Sequence, residues 1–448
     1  MKVADRYDVI VAGGGVAGIA AAVSAARLGA KTLLVEKYGF LGGLGTAGLV
    51  NPFMNSSTST GKPLVAGFFL EICDRMSGMG GMLGRAFDPE AMKFCAQELV
   101  LESGAHLLLH STITGARVVD SDVIGVELCT KSDMREVDAK IVIDATGDAD
   151  VAAMAGASYE LGNPEDGMTQ AMTLMFTIGG VYMGKALTYA KQNPDQMRFP
   201  KPSSDADVEM MLESAIGIAG FYKQVEEARE KGEFPLAQDM VFFISLPTPG
   251  QVVVNTTHIG GLDGTRSEDL TEAEIEGRRQ AMALMKFFRK YIPGFESAYL
   301  LQTATQVGVR ETRRIVGEYV FNADDVLAGS KFLDGVLRSA YPVDVHSSAG
   351  KGYIKDDDGA PVAPPHGDWY EVPYRCLVPV EVDNLLVAGR CISATQEGQA
   401  AVRIMPNCMA LGQAAGTAAA LCVREGVTPR KLDTGLLRKQ LLEQGAIV

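Results

Sequence analysis

The sequence predicts an α/β protein: a parallel sheet flanked by helices, carrying a small β-meander and interrupted by an inserted α+β domain. Three observations lead there. Residues 7–37, YDVIVAGGGVAGIAAAVSAARLGAKTLLVEK, read as strand, glycine turn, helix and strand. A second strand-to-helix pattern, NLLVAGRCIS and then RIMPNCMALGQAAGTAAALCV, stands near the C-terminus. Between them, from about residue 157 to 375, Pro-rich turns, helical patterns and isolated strands have another character. The first domain is therefore expected to be discontinuous, 1–156 and 376–448, with 157–375 as the substrate or cap insertion.

The opening stretch is the most specific. Val9, Ile10 and Val11 form a short apolar run suited to a buried parallel strand. Gly13, Gly15 and Gly18 give the G-x-G-x-x-G spacing. The first glycine makes the tight turn, the second lets backbone approach a pyrophosphate, and the third lets the helix lie close on the sheet. Ala20 to Ala26 make an alanine-rich helix that Gly29 is placed to end. Thr32 to Val35 make the second strand, closed by Glu36. A carboxylate at that strand end bonds ribose hydroxyls and would repel a 2′-phosphate, which disfavours NADP. With strands on both sides and the acid behind it, the turn reads as a Rossmann-like nucleotide site.

After Glu36, YGFLGGLGTAGLV crowds Gly39, Gly42, Gly43, Gly45 and Gly48 into ten residues. So much glycine is entropically costly, and main chain lying against a flat ligand is preferred to a flexible loop. Asp88-Pro89 start a helix, Asp as N-cap and Pro in the first turn, which stops at Gly104. A strand over His106–Ile113 follows. Then come Arg117–Val119, Val123–Cys129 and Glu136–Ala139 leading into Ile141–Asp144, a meander ending in ATGDAD. Thr146–Asp148 would lie at the ligand edge of the sheet. In the middle region, Thr271-x-x-Glu274 reads as a capping box opening a helix to about Tyr291. GGVYMG, from Gly179, lacks the acid-ended strand of a second dinucleotide site and reads as a turn. Near the C-terminus, Leu385–Ala388 form a strand ending in Gly389-Arg390, and a helix begins after Pro406. Its small residues Ala410, Gly412, Ala414, Ala415 and Gly416 admit another backbone or a ligand.

Composition narrows the class. Of 448 residues, 47% are hydrophobic and 21% charged, as in a globular protein of about two domains. A net charge of −14 argues against a general nucleic-acid or anionic-membrane binder. The longest small-apolar run, from Cys408, is too short to span a bilayer and contains Gln413 and Thr417. Seven scattered cysteines form no C-x-x-C, and five histidines make no metal-binding spacing, so neither a metal site nor a dithiol relay is expected. The odd cysteine count, with no signal peptide ahead of the first strand, predicts a cytoplasmic setting. The sequence neither requires nor excludes an oligomer.

Together, DVIVAGGGVAG…LLVEK, GFLGGLGTAG, IVIDATGDADV, GVRETRRIVGEY and NLLVAGRCISA…RIMPNCMALGQAAGTAAA resemble the FAD-dependent oxidoreductases of the glutathione-reductase-like superfamily. The resemblance implies FAD, with Gly13, Gly15 and Gly18 on the pyrophosphate, Glu36 on the adenosine ribose and Lys37 at the same end. Gly42, Gly43 and Thr46 would line the ribityl–flavin region, and Ile113 would touch adenine through its backbone. Ala145, Gly147 and Asp148 would lie near the phosphates, and Gly389 and Arg390 at the ribityl phosphate. The helix after Pro406, which contains Gly412, would aim its N-terminus at the flavin N1–C2=O edge. Two departures stand out. Many members carry Gly-Asp where this chain has Gly389-Arg390, and relatives often carry His where Gln396 stands in ISATQEGQA.

Only one complete dinucleotide motif is present, so a nicotinamide domain with a C-x-x-C relay is not expected. The implied reaction is hydride transfer between flavin N5 and a small organic substrate held by the middle domain, with a carboxylate as its candidate handle. The flavin carries the redox chemistry, and the electron acceptor or donor is unknown. Use of FAD structurally, or for a non-redox reaction such as isomerisation, is the alternative. The substrate-side candidates are Arg310 and Arg313 in VGVRETRRIVGEY, since a guanidinium fork suits a carboxylate. An ion-pair network stapling the two domains explains the same charges equally well. His346, His366, Tyr341 and Tyr374 are lesser candidates, and Cys391 and Cys408 read as buried, inert thiols.

Overall fold

The computed structural model describes residues 4–214, 216–348 and 362–448. The chain opens with strand β1 (Arg6–Ala12), helix α1 (Val16–Arg27) and strand β2 (Thr32–Val35), and Gly29, at φ +89°, turns the chain after the helix. Helix α2 (Pro89–Glu102) is capped by Asp88, whose carboxylate accepts from the Glu90 amide at 2.8 Å, and leads to β3 (His106–Leu108). The strand expected over His106–Ile113 is broken here. His110 adopts φ +53°, and the amides of His110 and Ser111 bond the carbonyls of Tyr38 and Glu36, so the chain wraps the end of β2. Pairing resumes in β4 (Thr112–Val119), β5 (Asp122–Cys129) and β6 (Met134–Asp144), in the sheet order β3-β2-β1-β6-β5-β4. Strand β6 serves both layouts: Asp138 pairs antiparallel with Gly125 of β5, whereas Asp144 pairs parallel with Ala12 of β1.

The insertion builds a second, antiparallel sheet from β7 (Phe176–Gly179), β8 (Met197–Phe199), β9 (Gly217–Gly220), β10 (Val241–Ser245), β11 (Val252–Val254) and β12 (Tyr299–Thr303). Their order is β8-β9-β10-β11-β7-β12. Period-two burial gives the sheet two apolar faces. Val252 and Val254 share a core cluster with Leu284, Phe287 and Phe288 of helix α3 (Ser267–Tyr291), while Val253 belongs to a separate cluster with Leu49 of the glycine-rich loop. Helix α3 starts four residues before the expected capping box. Inside it, Thr271 donates to the Ser267 carbonyl and Glu274 accepts from the Val307 amide.

Strand β13 (Leu385–Val387) returns to the first sheet parallel to β6, with Val387 opposite Asp144. Helices α4 (Gln396–Val402) and α5 (Met405–Glu425) follow. Phe321, Val336, Tyr370 and Tyr374 share the core of α1 and α5, whereas residues between Phe176 and Ala298 hold a core of their own. Among the described residues, no helix is long and apolar enough to cross a membrane.

Candidate functional site

The glycine turn is shaped by crowding on two sides and space on the third. A Cβ on Gly13, at φ +95°, would lie 2.7 Å from the Ala145 carbonyl oxygen, and one on Gly18 would lie 1.8 Å from the Gly13 oxygen. A Cβ on Gly15 would meet nothing closer than Gly43 Cα at 3.9 Å. Helix α1 begins there without a side-chain cap, which leaves its first amides aimed at the position an anion takes. Glu36, 7% exposed, accepts from the Gly14 amide at 2.7 Å and from the Tyr38 amide at 2.8 Å, so the acid at the end of β2 is fixed to the turn. Lys37 is exposed and lies over the Tyr38 ring. Ile113 pairs with Leu128 at the start of β4.

The second glycine segment lies backbone to backbone on the first. Gly42 (φ +112°) donates to the Gly14 carbonyl at 2.9 Å, and a Cβ on Gly43 would lie 2.8 Å from Gly15 Cα. Thr46 is buried and donates to the Leu41 carbonyl at 2.8 Å; its hydroxyl closes the loop from within. Gly45 faces the sulfurs of Met92 and Met405, which brings the start of α5 to the loop. That start, at Ile404, also lacks a side-chain cap. Gly412 has another use: a Cβ there would lie 2.1 Å from the Ala17 carbonyl oxygen, so it serves the packing of α5 on α1, as Gly416 does against Ala21.

At the end of β6, Ala145 donates to the Ala12 carbonyl at 2.9 Å, and Gly147 (φ +83°) faces the Arg390 guanidinium. Asp148 accepts from Arg390 at 2.5 Å and from the Thr312 hydroxyl at 2.7 Å, and Arg390 also donates to the Val309 carbonyl. Arg313 reaches the Asp148 carbonyl at 3.0 Å and Asp150 at 2.9 Å. Burial and the Asp148 charge push the Asp150 carboxyl up, and Arg313 and Lys37 offset them. Asp148, Arg390 and Arg313, expected to face ligands, thus hold segment 309–315 to the strand ends. For Arg313 the ion-pair alternative describes the geometry. Behind it, Arg314 and Glu311 form a fully buried pair. Gln396, at the position where relatives often have His, donates to Glu311 at 2.7 Å and serves that pair.

Arg310 belongs to a different cluster. It donates to the Ala171 carbonyl, and its own carbonyl accepts from Gln399 at 2.9 Å. Gln399 accepts from the Gln170 side-chain amide at 3.0 Å, and Gln170 Oε1 accepts from the His346 amide at 3.2 Å. His346 Nε2 lies 3.3 Å from Asp344 Oδ1. Tyr341 donates to Asp344 Oδ2 at 2.8 Å, and Arg403 reaches the Asp344 carbonyl at 2.8 Å. Burial and the Arg310 charge push His346 down to about 4. Burial opposes ionisation of Asp344, but His346 and Arg403 hold its carboxyl well below the usual range. Burial and Arg310 also lower His258, whose Nε2 sits 3.4 Å from the Ser348 carbonyl oxygen. Arg403 stands two residues before Met405, so the cluster adjoins the start of α5 and the glycine loop. Sequence reading listed Arg310, His346 and Tyr341 separately and missed Asp344, Gln170 and Arg403. The position of Arg403, at the head of RIMPN, was the available signal. Tyr374 is buried and donates to the Pro429 carbonyl, and His366 is exposed. Cys391 and Cys408 are buried thiols, the second pushed up to about 12 by burial.

A glycine turn opening onto a helix, an acid-ended second strand and a C-terminal strand and helix returning to the turn define an FAD-binding protein. The model of the FAD dependent oxidoreductase family matches residues 8–441, and the chain belongs to that family. Over 164 residues it is 32% identical to the tRNA uridine 5-carboxymethylaminomethyl modification enzyme MnmG of Dichelobacter nodosus (strain VCS1703A), a match covering 33% of this chain and only 25% of that enzyme. A geranylgeranyl bacteriochlorophyll reductase-like protein from Thermoplasma acidophilum aligns at 15% identity over 99% of this chain and 84% of its own, with a TM-score of 0.44. The myxobacterial chondrochloren halogenase CndH aligns at 12% identity over 98% and 78%, with a TM-score of 0.49.

FAD is the cofactor, and the residues present fit it. The open face of Gly15 and the uncapped start of α1 suit the pyrophosphate, and Glu36 stands where an adenosine ribose would be bonded. The close packing of Gly42 and Gly43 on Thr46 and Gly15 holds the loop against the turn. The start of α5 supplies a second uncapped helix end, favourable to negative charge. Bound there, FAD supplies a two-electron carrier to the chain.

Proposed function

We propose that the protein moves a hydride between flavin N5 and a small organic substrate bearing a carboxylate, seated between the 42–48 loop and the second sheet. The single observation behind this reading is the convergence of two arginines, Arg310 and Arg403, on one cluster beside the start of α5, in a chain whose net charge is −14. Guanidinium forks bind carboxylates with charge-assisted bonds. The Asp148–Arg390–Arg313 network closes the second domain over the cofactor face and serves as scaffold. The motifs favour the glutathione-reductase-like superfamily and a cytoplasmic setting, with a separate electron acceptor or donor of unknown identity.

The test is a binding titration. Oxalate, which cannot give up a hydride, should perturb the oxidised flavin spectrum of the holoenzyme. Arg310→Ala should keep FAD and weaken that response roughly tenfold to hundredfold, the loss of one charge-assisted contact of about 1.5–3 kcal/mol. A wild-type spectrum indifferent to oxalate, or an Arg310→Ala variant that binds it as tightly, contradicts the proposal.

A further inference from the structure

We propose that helix α3 carries a docking groove for a second copy of this chain, and that the acidic helix Asp205–Leu212 of that copy fills it. The groove, of about 880 Å³, runs along the outward face of α3. Ile275, Arg279, Met282, Lys286 and Lys290 recur at three- or four-residue spacing and so form one stripe, with Arg278 beside it. Ile275 and Met282 are 48% and 54% exposed, while Leu284 and Phe288 on the opposite face are buried in the core. Four cations line the groove against one acid, Glu233, in a chain whose net charge is −14. Arg278 is paired with Glu274 at 2.7 Å and Lys290 with Glu233 at 2.6 Å. Arg279 reaches Glu276 only at 3.9 Å, and Lys286 is exposed, so these two cations are the ones offered to an incoming acid.

Charge and pattern name the occupant. The helix Asp205–Leu212, with the residue that ends it, carries Asp205, Asp207, Glu209 and Glu213 and no Lys or Arg. A capping box between Ser204 and Asp207 fixes its start. Val208 is its buried anchor, whereas Met210 is 63% and Leu212 47% exposed. Ala206, Glu209, Met210 and Glu213 fall on one face, which sets a methionine among acids. The groove sets Met282 between Arg279 and Lys286, the same pattern with the opposite charge. Methionine on both sides supplies apolar contact that adapts to the fit. Val208 and Phe287 belong to one core, so the helix and the groove lie over the same face of the second sheet. One two-fold axis can therefore exchange two equal contacts, each copy giving its acidic helix and receiving the other's. A foreign electron carrier suits the groove less. The glycine-rich loop, through Leu49, shares the cluster of Val253, on the other face of that sheet. The net charge opposes an anionic membrane.

The experiment follows the mass of the holoenzyme by sedimentation or light scattering. The wild type should be a dimer at about 50 μM, weakened by added salt. Arg279→Glu with Lys286→Glu should weaken it about a hundredfold or more, because acid then faces acid. Glu209→Lys with Glu213→Lys should do the same, because base then faces base. Both variants should keep FAD, since the altered side chains are exposed. Mixed in equal amounts, the two should associate with about the wild-type affinity: the reversed groove meets the reversed helix, and the unaltered groove meets the unaltered helix. Should a double reversal fail to fold, Met282→Glu or Met210→Lys takes its place and should weaken the dimer about tenfold or more. A wild type that stays monomeric overturns the proposal. Dimers of unchanged strength in either charge variant overturn it too, because the contact then lies elsewhere, and so do folded variants that separate but do not associate on mixing.

Discussion

Replacing Arg314 with Met removes the positive half of the best-buried ion pair among the described residues. Arg314 is 1% exposed and Glu311 0%. The guanidinium bonds the Glu311 carboxylate, the Ala394 carbonyl at 3.0 Å and the Gly162 carbonyl at 2.9 Å. Glu311 also accepts from the Gln170 amide at 3.0 Å and from Gln396 at 2.7 Å. Every polar atom of the pair is thus matched, and removing one partner strands a buried charge, a loss of about 3–5 kcal/mol. At about 2.1 cal/mol/K of unfolding entropy per residue, a chain of 448 residues melting as one unit loses about 1 °C per kcal/mol. Arg314→Met should therefore lower Tm by about 3–5 °C in a calorimetric scan. Burial already raises the Glu311 carboxyl in the wild type. Without the arginine the folded state holds that proton more strongly, so the deficit should be small near about pH 5 and grow towards about pH 8. Adding Glu311→Gln should recover part of the loss, because the stranded charge is then gone. A Tm within 1 °C of wild type at about pH 8, or a deficit that shrinks as pH rises, would refute the reasoning.

Other outcomes follow from the cofactor site. Glu36→Ala should weaken FAD binding roughly tenfold to hundredfold in a titration of the apoprotein, since a charge-assisted contact of about 1.5–3 kcal/mol is lost along with the tie to the Gly14 amide. Gly15→Ala should leave the apoprotein's melting temperature near wild type, because its Cβ meets nothing closer than the Gly43 Cα at 3.9 Å, and should weaken FAD binding; Gly13→Ala, crowded by Ala145 at φ +95°, should lose both stability and binding. Native protein treated with iodoacetamide should be labelled at exposed Cys129 and spared at Cys391 and Cys408, read by peptide mass analysis. Cys→Ser at the two buried positions should leave flavin reduction intact, and loss of reduction with FAD retained would show a thiol role.

What the sequence disclosed was local. Strand β1, the glycine turn, α1, β2 and Glu36 are neighbours along the chain, and spacing alone predicts how they meet. The Asp88 cap and the helix after Pro406 are read the same way. What it concealed depends on partners far apart in sequence. Asp148, Arg390 and Arg313 each carry charge suited to a ligand, and only the fold shows that Arg390 pairs with Asp148 and Arg313 with Asp150. The small residues of α5 were open to two uses, and the approach of Gly412 to Ala17 decides for helix packing. The capping pattern at Thr271 yields to tertiary contacts that let α3 begin at Ser267. Asp344 and Arg403 are separated by 59 residues, so no spacing rule joins them to His346.

The most direct measurement is an anaerobic screen of the purified holoenzyme, following the visible flavin band as small metabolites are added. Bleaching by a carboxylate-bearing metabolite, weakened in Arg310→Ala, is the expected result. A flavin that stays oxidised with every carboxylate yet is bleached by uncharged alcohols or amines would contradict it.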